Sequence, residues 1–238
     1  AIRLQSSGIE TVLVEARGVP GGHASAVVRE GFTFDAGPAD AGDPAAFAEL
    51  WQLAGLDMAE DIELLPVEPL WRLKWTDGGS LDISRDEAAM RREIARIAPD
   101  DAAGYEEFLR WAGQAIKEGA DGRLLPPMTG LAALAKAAPA LARYQAWRPA
   151  YSLVSSFVKS EKLREAFTVQ ALMAGANPMK ASGFQALAHK REIAGGVWWP
   201  KGGMHRLPAA MAQLYERIGG RLLLHDPVLH IHTLGDRV

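Results

Sequence analysis

Residues 11–38 read TVLVEARGVPGGHASAVVREGFTFDAGP, and this stretch indicates how the chain around it folds. It begins with an apolar, β-branched run at 11–14 that ends in a single acid, Glu15. A turn of one proline and two glycines follows at 20–22. A buried strand that ends in a carboxylate is typical of the second half of a dinucleotide-binding βαβ unit, where the acid accepts hydrogen bonds from ribose hydroxyls. A strand that merely runs from core to solvent gives the same pattern.

The residues before this stretch match only the end of such a unit. Residues 1–8, AIRLQSSG, predict the last turns of a crossover helix closed by Gly8. No glycine-rich GxGxxG loop stands before them. We therefore expect the chain to be a fragment of a longer protein, without the first strand of its nucleotide-binding domain.

The segment after the strand resembles the N-terminal motif region of the bacterial phytoene desaturases, which are FAD-dependent flavoproteins related to the amine oxidases. The matching positions are Glu15, Pro20, Gly21, Gly22 and the run GFTFDAGP at 31–38. Shorter matches follow: ELLPV at 63–67, QAWR at 145–148, Asn177-Pro178 and GVWWPKGG at 196–203. The resemblance extends over essentially the whole chain of 238 residues.

The resemblance implies an α/β fold with a Rossmann-like FAD-binding domain that is discontinuous in sequence. Residues 1–60 would form its first part and residues 196–238 its return. Residues 61–195 would form an inserted α+β domain of sheet and helices that binds substrate and associates with the membrane. By the same comparison, about half of the enzyme, including the C-terminal part that faces the flavin, is expected to lie outside this chain.

The implied activity is the desaturation of a long-chain polyene such as phytoene in carotenoid biosynthesis, with a hydride passed to FAD. The terminal electron acceptor would be oxygen or a quinone, and the enzyme would be cytoplasmic and peripherally bound to the membrane. The fragment alone is expected to be inactive. Two alternatives stay open: another polyene or retinoid oxidoreductase of the same fold, such as a hydroxycarotenoid desaturase or a saturase, or a non-catalytic fragment that binds a membrane surface without FAD.

Composition excludes several other classes of protein. The formal net charge of −3 is too small to favour a nucleic-acid partner, and the absence of cysteine rules out disulfides and thiolate metal sites. No apolar run is long enough to cross a bilayer. A cysteine-free chain fits a reducing cytoplasm.

Periodicity and capping residues predict alternating helices and strands. The predicted helices cover residues 43–55, 85–97, 100–118, 161–173, 182–190 and 204–218, and the predicted strands cover 62–67, 69–75, 80–83, 197–199, 221–224 and 228–232. Pro139 should kink or break any helix within 131–143. Trp71, Leu73 and Trp75 give one strand a large apolar face, which either packs on helices or, as the resemblance implies, lines a substrate pocket.

Residues 122–160 carry positive charge without any acid. The basic residues in this range are Arg123, Lys136, Arg143, Arg148 and Lys159. A cationic, apolar helical stretch suits the surface of a bilayer with anionic lipids. A buried helix whose basic side chains reach solvent gives the same composition. The resemblance favours the membrane, because the substrate of the family is a hydrocarbon that resides in lipid.

The resemblance also implies the residues that would hold FAD. Gly21, Gly22 and Gly37 belong to the matched motifs, and Val228 stands where the backbone of family members meets the adenine. His23 stands where the family commonly has an arginine near the flavin pyrophosphate. A neutral histidine can donate one hydrogen bond but lacks the permanent charge and the forked geometry of arginine.

One residue is a candidate for the catalytic site. Lys136 occupies the position of an arginine that is suspected to act near the polyene in close relatives. Those relatives have an aspartate three residues earlier, where this chain has Ala133. Half of that acid–base pair is therefore absent, and we assign no general base.

The histidines near the end of the chain do not predict a metal site. His230 and His232 would lie on the same face of a strand, with His225 or Asp226 as a possible third ligand. The alternation of residues 228–233 fits a half-exposed strand better, and the spacing matches no known ligand set. We therefore expect no bound metal.

Overall fold

A computed structural model describes residues 1–38, 40–118 and 131–233. The chain divides into two compact units. The split unit consists of Ala1–Val67 and Val197–Val238, and the central unit consists of Glu68–Gly196. The sequence placed the corresponding boundaries after residues 60 and 195.

Helices and strands alternate along the chain. The described helices are α1 (Ile2–Ser6), α2 (Pro44–Gln52), α3 (Glu87–Ile97), α4 (Ala102–Lys117), α5 (Leu131–Arg143), α6 (Ala150–Val154), α7 (Glu161–Met173), α8 (Leu187–Gly195) and α9 (Arg206–Arg217). The described strands are β1 (Val12–Val14), β2 (Ala26–Arg29), β3 (Phe32–Asp35), β4 (Leu64–Pro66), β5 (Trp71–Lys74), β6 (Ser80–Ile83), β7 (Trp198–Pro200) and β8 (Arg221–Leu223).

The split unit contains three pairs of strands. β1 and β8 run parallel, with Val12 opposite Arg221 and Val14 opposite Leu223. β2 and β3 form an antiparallel hairpin, and β4 pairs antiparallel with β7. The hairpin turns at Glu30 and Gly31, whose φ values of +52° and +82° are those that a tight two-residue hairpin turn requires.

The core of the split unit lies between its helices. Trp51 of α2 and Leu214 of α9 are completely buried in one apolar cluster. Tyr215 of α9 is also buried, and its hydroxyl donates to the carbonyl of Thr11 at 2.7 Å. That hydrogen bond fixes α9 beside the residue that precedes β1, so the helix positions the strand that leads to Glu15.

The central unit is a β-hairpin with helices packed on it. β5 and β6 are antiparallel, with Trp71 opposite Ile83. Fully buried aromatic rings from α4 and α7 form the centre, where Phe108 and Phe167 stack with ring centroids 5.6 Å apart. The central unit therefore has a continuous core of its own.

Several sequence predictions are confirmed. α7 has the predicted bounds of 161–173. α2 begins as predicted, because the Asp43 side chain accepts a hydrogen bond from the N–H of Ala45 at 3.1 Å and Pro44 is the first helical residue. Gly8 has a φ of +81° directly after the end of α1, as a helix-terminating glycine does.

One prediction of secondary structure is wrong. Residues 228–232 form no strand, because no described strand pairs with them and Leu229 is 89% exposed. The sequence predicts no partner for the strand at 62–67, and β4 pairs with β7, from which more than 100 residues of sequence separate it. Pro139 lies inside α5 and does not break it, whereas the predicted kink stays a prediction. Proline removes only its own N–H bond, and the surrounding alanines favour continued helix.

Candidate nucleotide-binding site

Glu15 lies at the carboxyl end of β1. Its N–H donates to the carbonyl of Leu223 at 2.8 Å, which continues the parallel pairing with β8 by one residue. One carboxylate oxygen, Oε1, accepts from the N–H of Arg17 at 2.8 Å. Within the described ranges the other oxygen has no partner. The carboxylate is thus held by its own turn with one oxygen free to accept a further hydrogen bond.

The loops that follow β1 and β8 are in contact. The N–H of Asp226 donates to the carbonyl of Glu15 at 3.0 Å, and the N–H of His225 donates to the carbonyl of Arg17 at 3.0 Å. A Cβ at Gly18 would lie only 2.5 Å from Cε1 of His225, so the His225 ring would have to move if this position carried a side chain. Ligands of open α/β sheets bind where loops meet at the carboxyl ends of parallel strands.

Val228, the predicted adenine contact, belongs to this second loop. It follows Asp226 by two residues, and its side chain is 62% exposed. The structure therefore places the segment that carries Val228 next to the backbone of Glu15. The contact with adenine itself stays a prediction.

The Pro-Gly-Gly turn uses both of its glycines. Gly21 and Gly22 have φ values of +120° and +54°, which residues with side chains rarely adopt. The guanidinium of Arg17 donates to the carbonyl of Gly22 at 3.3 Å and so connects this turn to the loop after β1. His23 is exposed in the short 3-10 helix Gly22–Ala24.

Gly37 packs directly on the backbone of this turn. A Cβ at Gly37 would overlap the carbonyl oxygen of His23 and approach Cα of Ala24 at 3.0 Å. The two matched motifs, which are separated in sequence by the β2–β3 hairpin, therefore meet through a glycine. The role of the three glycines and of His23 in holding a cofactor stays a prediction.

The sequence did not reveal a link between β3 and α9. The carboxylate of Asp35, at the end of β3, accepts from the backbone N–H of His205 at 3.2 Å and lies 3.3 Å from the Nδ1 atom of the His205 ring. Burial alone would raise the pKa of Asp35, but hydrogen bonds from the Met204 and His205 backbone and from the His205 ring lower it. A Cβ at Gly203 would lie 2.8 Å from the Asp35 carboxylate. The glycine of the GVWWPKGG motif therefore leaves room for the aspartate of the GFTFDAGP motif.

The catalytic candidate cannot be placed in the same detail. Lys136 belongs to α5, but its side chain and that of Ala133 lie outside the described residues. Residues 122–130 lie outside them as well. The catalytic role of Lys136 therefore stays a prediction.

Two of the basic residues in the acid-free segment bind protein groups. Arg143 forms an ion pair with Glu118 at 3.2 Å. Arg148 donates to the carbonyl of Ser152 at 2.6 Å and to Oε1 of Gln145 at 2.9 Å. Trp147, between them, is 69% exposed. In the described part of the chain, no helix is both long enough and apolar enough to span a membrane.

The apolar face of β5 packs on helices. Nε1 of Trp71 donates to Glu192 of α8 at 2.8 Å, and Nε1 of Trp75 donates to Glu165 of α7 at 2.5 Å. These bonds hold the strand against both helices. The structure thus supports the packing interpretation of this face over the pocket interpretation.

The terminal histidines lie close together near the end of the described residues. The rings of His230 and His232 lie 4.6 Å apart between centroids, on a segment without strand structure. Across the described ranges, no group of three or more histidine or acidic side chains could hold a metal ion.

Comparison with protein families identifies relatives along the entire chain. Residues 1–238 match the model of the family described as flavin containing amine oxidoreductase. The chain is 44% identical over 237 residues to a phytoene desaturase (lycopene-forming) of Paracoccus sp., and this match covers 100% of the chain and 47% of the relative. It is 40% identical over 238 residues to the phytoene desaturase (lycopene-forming) of Pantoea ananas, of which it covers 48%. The chain thus spans about half the length of these curated relatives.

Solved structures show the same fold. The structure of putrescine oxidase, wild type bound to putrescine, superimposes with a TM-score of 0.55 at 16% identity, covering 94% of this chain and 47% of that one. The match confirms the predicted α/β, Rossmann-like fold class. The flavin of the matched family agrees with the predicted cofactor, FAD.

Proposed function

The chain belongs to the family of flavin containing amine oxidoreductases, and on that premise we propose that it forms part of a FAD-dependent enzyme that desaturates a long-chain polyene such as phytoene. The observation that carries this proposal is the 44% identity, over the whole chain, to a phytoene desaturase (lycopene-forming). A second phytoene desaturase (lycopene-forming) is 40% identical over the whole chain. The proposed pathway is carotenoid biosynthesis.

The residues of the split unit fit the adenosine half of FAD. The free carboxylate oxygen of Glu15 would accept a hydrogen bond from a ribose hydroxyl, and the segment of Val228 would border the adenine. Gly21 and Gly22 would let the backbone approach the cofactor closely, because neither carries a side chain. When bound, FAD supplies the hydride acceptor that the reaction needs.

The central unit would bind the polyene. We propose that Lys136 of α5 acts near the substrate and that the helical region of residues 131–160 contacts the membrane peripherally. Two observations support this membrane contact. Trp147 is exposed, and residues 131–160 contain no acidic residue. The proposed electron acceptor is oxygen or a membrane quinone.

The test uses the full-length protein, purified in detergent and assayed with phytoene in liposomes. The visible spectrum reports bound flavin, and absorbance at longer wavelength reports the extended polyene. Flavin bands together with product are the expected result. A folded, colourless protein that takes up no added FAD but binds liposomes would contradict the proposal and support the non-catalytic alternative. Flavin without product from phytoene would indicate a different polyene substrate.

Lys136 is tested separately with a matched pair of variants. If its positive charge acts near the polyene, Lys136→Met should lower the rate of product formation at least about tenfold, whereas Lys136→Arg should retain most of it. Equal rates for Lys136→Met and the wild type, with unchanged flavin content, would remove Lys136 from the catalytic site.

A further inference from the structure

An open cleft lies among α3, α4 and α8 of the central unit. It has a volume of about 330 Å³, and its mixed lining includes the apolar side chains of Met90, Leu109 and Ile193. Pockets for small ligands begin at about 300 Å³. The volume therefore suits a small molecule.

The charged side chains that line this cleft are of two kinds. The guanidinium of Arg91 donates to Glu106 at 2.7 Å and to Glu87 at 3.2 Å, so these three charges are engaged with one another. By contrast, Arg110 of α4 and Lys190 of α8 form no ion pair or hydrogen bond with any described residue. Three cations against two carboxylates leave the lining with one net positive charge.

A further donor belongs to the same cleft. Tyr105 lines it and is only 3% exposed, and its hydroxyl is not sealed from solvent and forms no hydrogen bond with a described group. Burial raises the pKa of this phenol, so the hydroxyl stays neutral and can donate a proton in a hydrogen bond. It can therefore donate to an acceptor bound in the cleft.

Lys190 approaches α4 at a glycine. Gly113 of α4 lines it, and a Cβ at that position would lie 3.8 Å from Cε of Lys190. The stem of Lys190 therefore passes α4 where the helix carries no side chain, which leaves its ammonium group at the cleft.

We propose that this cleft binds a small amphipathic monoanion, a carboxylate with a short apolar chain. The carboxylate would accept hydrogen bonds from Arg110, Lys190 and the hydroxyl of Tyr105. The apolar chain would lie on Met90 and Ile193. A single negative charge balances the lining, whereas a phosphate dianion would place excess negative charge beside Glu87 and Glu106.

The test is equilibrium dialysis of the 238-residue chain with octanoate, compared with acetate and with octan-1-ol. Octanoate should bind at one saturable site. Acetate lacks the apolar chain and octan-1-ol lacks the charge, so each should bind at least about tenfold more weakly.

Variants locate the binding site. Arg110→Ala and Lys190→Ala should each weaken octanoate binding about fivefold or more, since each removes a charged donor. Tyr105→Phe keeps the buried ring and should weaken binding about threefold. Lys117→Ala, at an exposed position outside the cleft on α4, is the control and should change nothing.

Two results would overturn the proposal. The absence of a saturable octanoate site is one. Unchanged octanoate affinity in the double variant R110A/K190A is the other, because it would place the bound octanoate on another apolar surface. Circular dichroism should show that Arg110→Ala and Lys190→Ala each leave the chain folded.

Discussion

The split unit and the central unit keep their apolar residues in different places. Of the twenty large hydrophobic residues that are exposed in the described chain, sixteen belong to the split unit, including Val12, Val28 and Phe32. In the central unit, Phe108 and Phe167 are completely buried. Outside its helical core around Trp51 and Leu214, the split unit orders its loops by hydrogen bonds and close glycine contacts, whereas the central unit is stabilised by packing. Substitutions in the central unit should cost stability, and those in the split unit should mainly change binding.

The largest effect is expected from Gly104→Ala in the central unit. A Cβ at this position of α4 would overlap the carbonyl oxygen of Phe157, which is backbone and cannot rotate away. Overpacking of this kind costs about 3 kcal/mol. Hydrogen exchange followed by mass spectrometry should show faster exchange in peptides of the central unit and unchanged exchange in those of the split unit.

The control for this prediction lies on the same helix. A Cβ at Gly113 would meet only the flexible end of Lys190 at 3.8 Å. Gly113→Ala should therefore stabilise α4 by about 0.5 to 1 kcal/mol through helix propensity. If both variants shift exchange in the same direction, packing against Phe157 does not limit the stability of the central unit.

The unfolding free energy of the central unit should fall between pH 8 and pH 5. A buried histidine, and not the carboxylates, should cause this loss. His189 is completely buried, its ring centroid lies 4.4 Å from that of Phe167, and neither ring nitrogen has a hydrogen-bond partner among the residues that the structure describes. Burial, with a smaller contribution from Lys190, lowers the pKa of His189 to about 3. An unfolded histidine has a pKa of about 6.5, so below that pH the unfolded state binds the proton and the folded state does not. Between pH 8 and pH 5 the unfolding free energy should fall by about 2 kcal/mol.

Replacing His189 by phenylalanine tests whether this histidine causes the loss of stability at low pH. His189 is the only histidine in residues 68–196, so His189→Phe removes the one imidazole of the central unit. Chemical denaturation from pH 8 to pH 5 should show a flat dependence for the variant, whatever its absolute stability. An equally steep dependence in both proteins would show that other groups cause the acid sensitivity.

The burial of His189 also shows what could not be read from the sequence. Local signals were sufficient for the bounds of α7, for the Asp43 cap and for Gly8, because each depends on neighbouring residues. The sequence also identified Glu15 as the residue at the end of β1. Contacts between distant residues gave no local signal. The bond between Asp35 and His205 joins residues 170 positions apart.

The strand predicted at residues 228–232 is wrong for the same reason, because strand formation depends on contacts between distant residues. Alternation of apolar and polar residues predicts a strand only if a partner strand lies alongside, and no described strand does. The β4–β7 pairing was not predicted, because more than 100 residues of sequence separate the two strands and no local signal connects them. Pairing between strands depends on the whole fold, whereas helix ends depend on a few residues.

In the split unit, Glu15→Gln should change binding without changing stability. The amide keeps one oxygen, which can still accept from Arg17, but it replaces the free acceptor with a donor. The loss of a hydrogen bond to a charged group should weaken FAD binding to the full-length apoprotein about tenfold. Quenching of flavin fluorescence measures this affinity. Glu10→Gln, at an exposed position before β1, is the control.

The Glu15→Gln variant also distinguishes a role of the carboxylate in cofactor binding from a role in the stability of the loop. If Glu15→Gln lowers the melting temperature of the apoprotein, the carboxylate is part of the structure of the loop and not only a ligand for ribose. If FAD affinity is the same in Glu15→Gln and Glu10→Gln, the strand-end acid does not bind the cofactor.

The smallest loss of stability is expected at Asp35, a partly buried charge of the split unit. The Asp35 carboxylate accepts from the N–H of His205 at the N-terminus of α9, where negative charge is favourable. Asp35→Asn keeps an acceptor but removes the charge, so it should destabilise the split unit by about 1 kcal/mol at pH 7. Hydrogen exchange in peptides of α9 and β3 measures this loss, with Glu30→Gln at the exposed hairpin turn as control.

The stabilisation by the Asp35 carboxylate should depend on pH. The net hydrogen bonding to Asp35 lowers its pKa below the usual value, so the stabilisation is present above about pH 4 and is lost as the pH falls through the lowered pKa. The difference between wild type and Asp35→Asn should therefore shrink on acidification, whereas His189→Phe should gain stability relative to wild type. If the Asp35 difference grew instead, desolvation of the carboxylate would outweigh its hydrogen bonds, and a charge in the split unit would behave like the buried imidazole of the central unit.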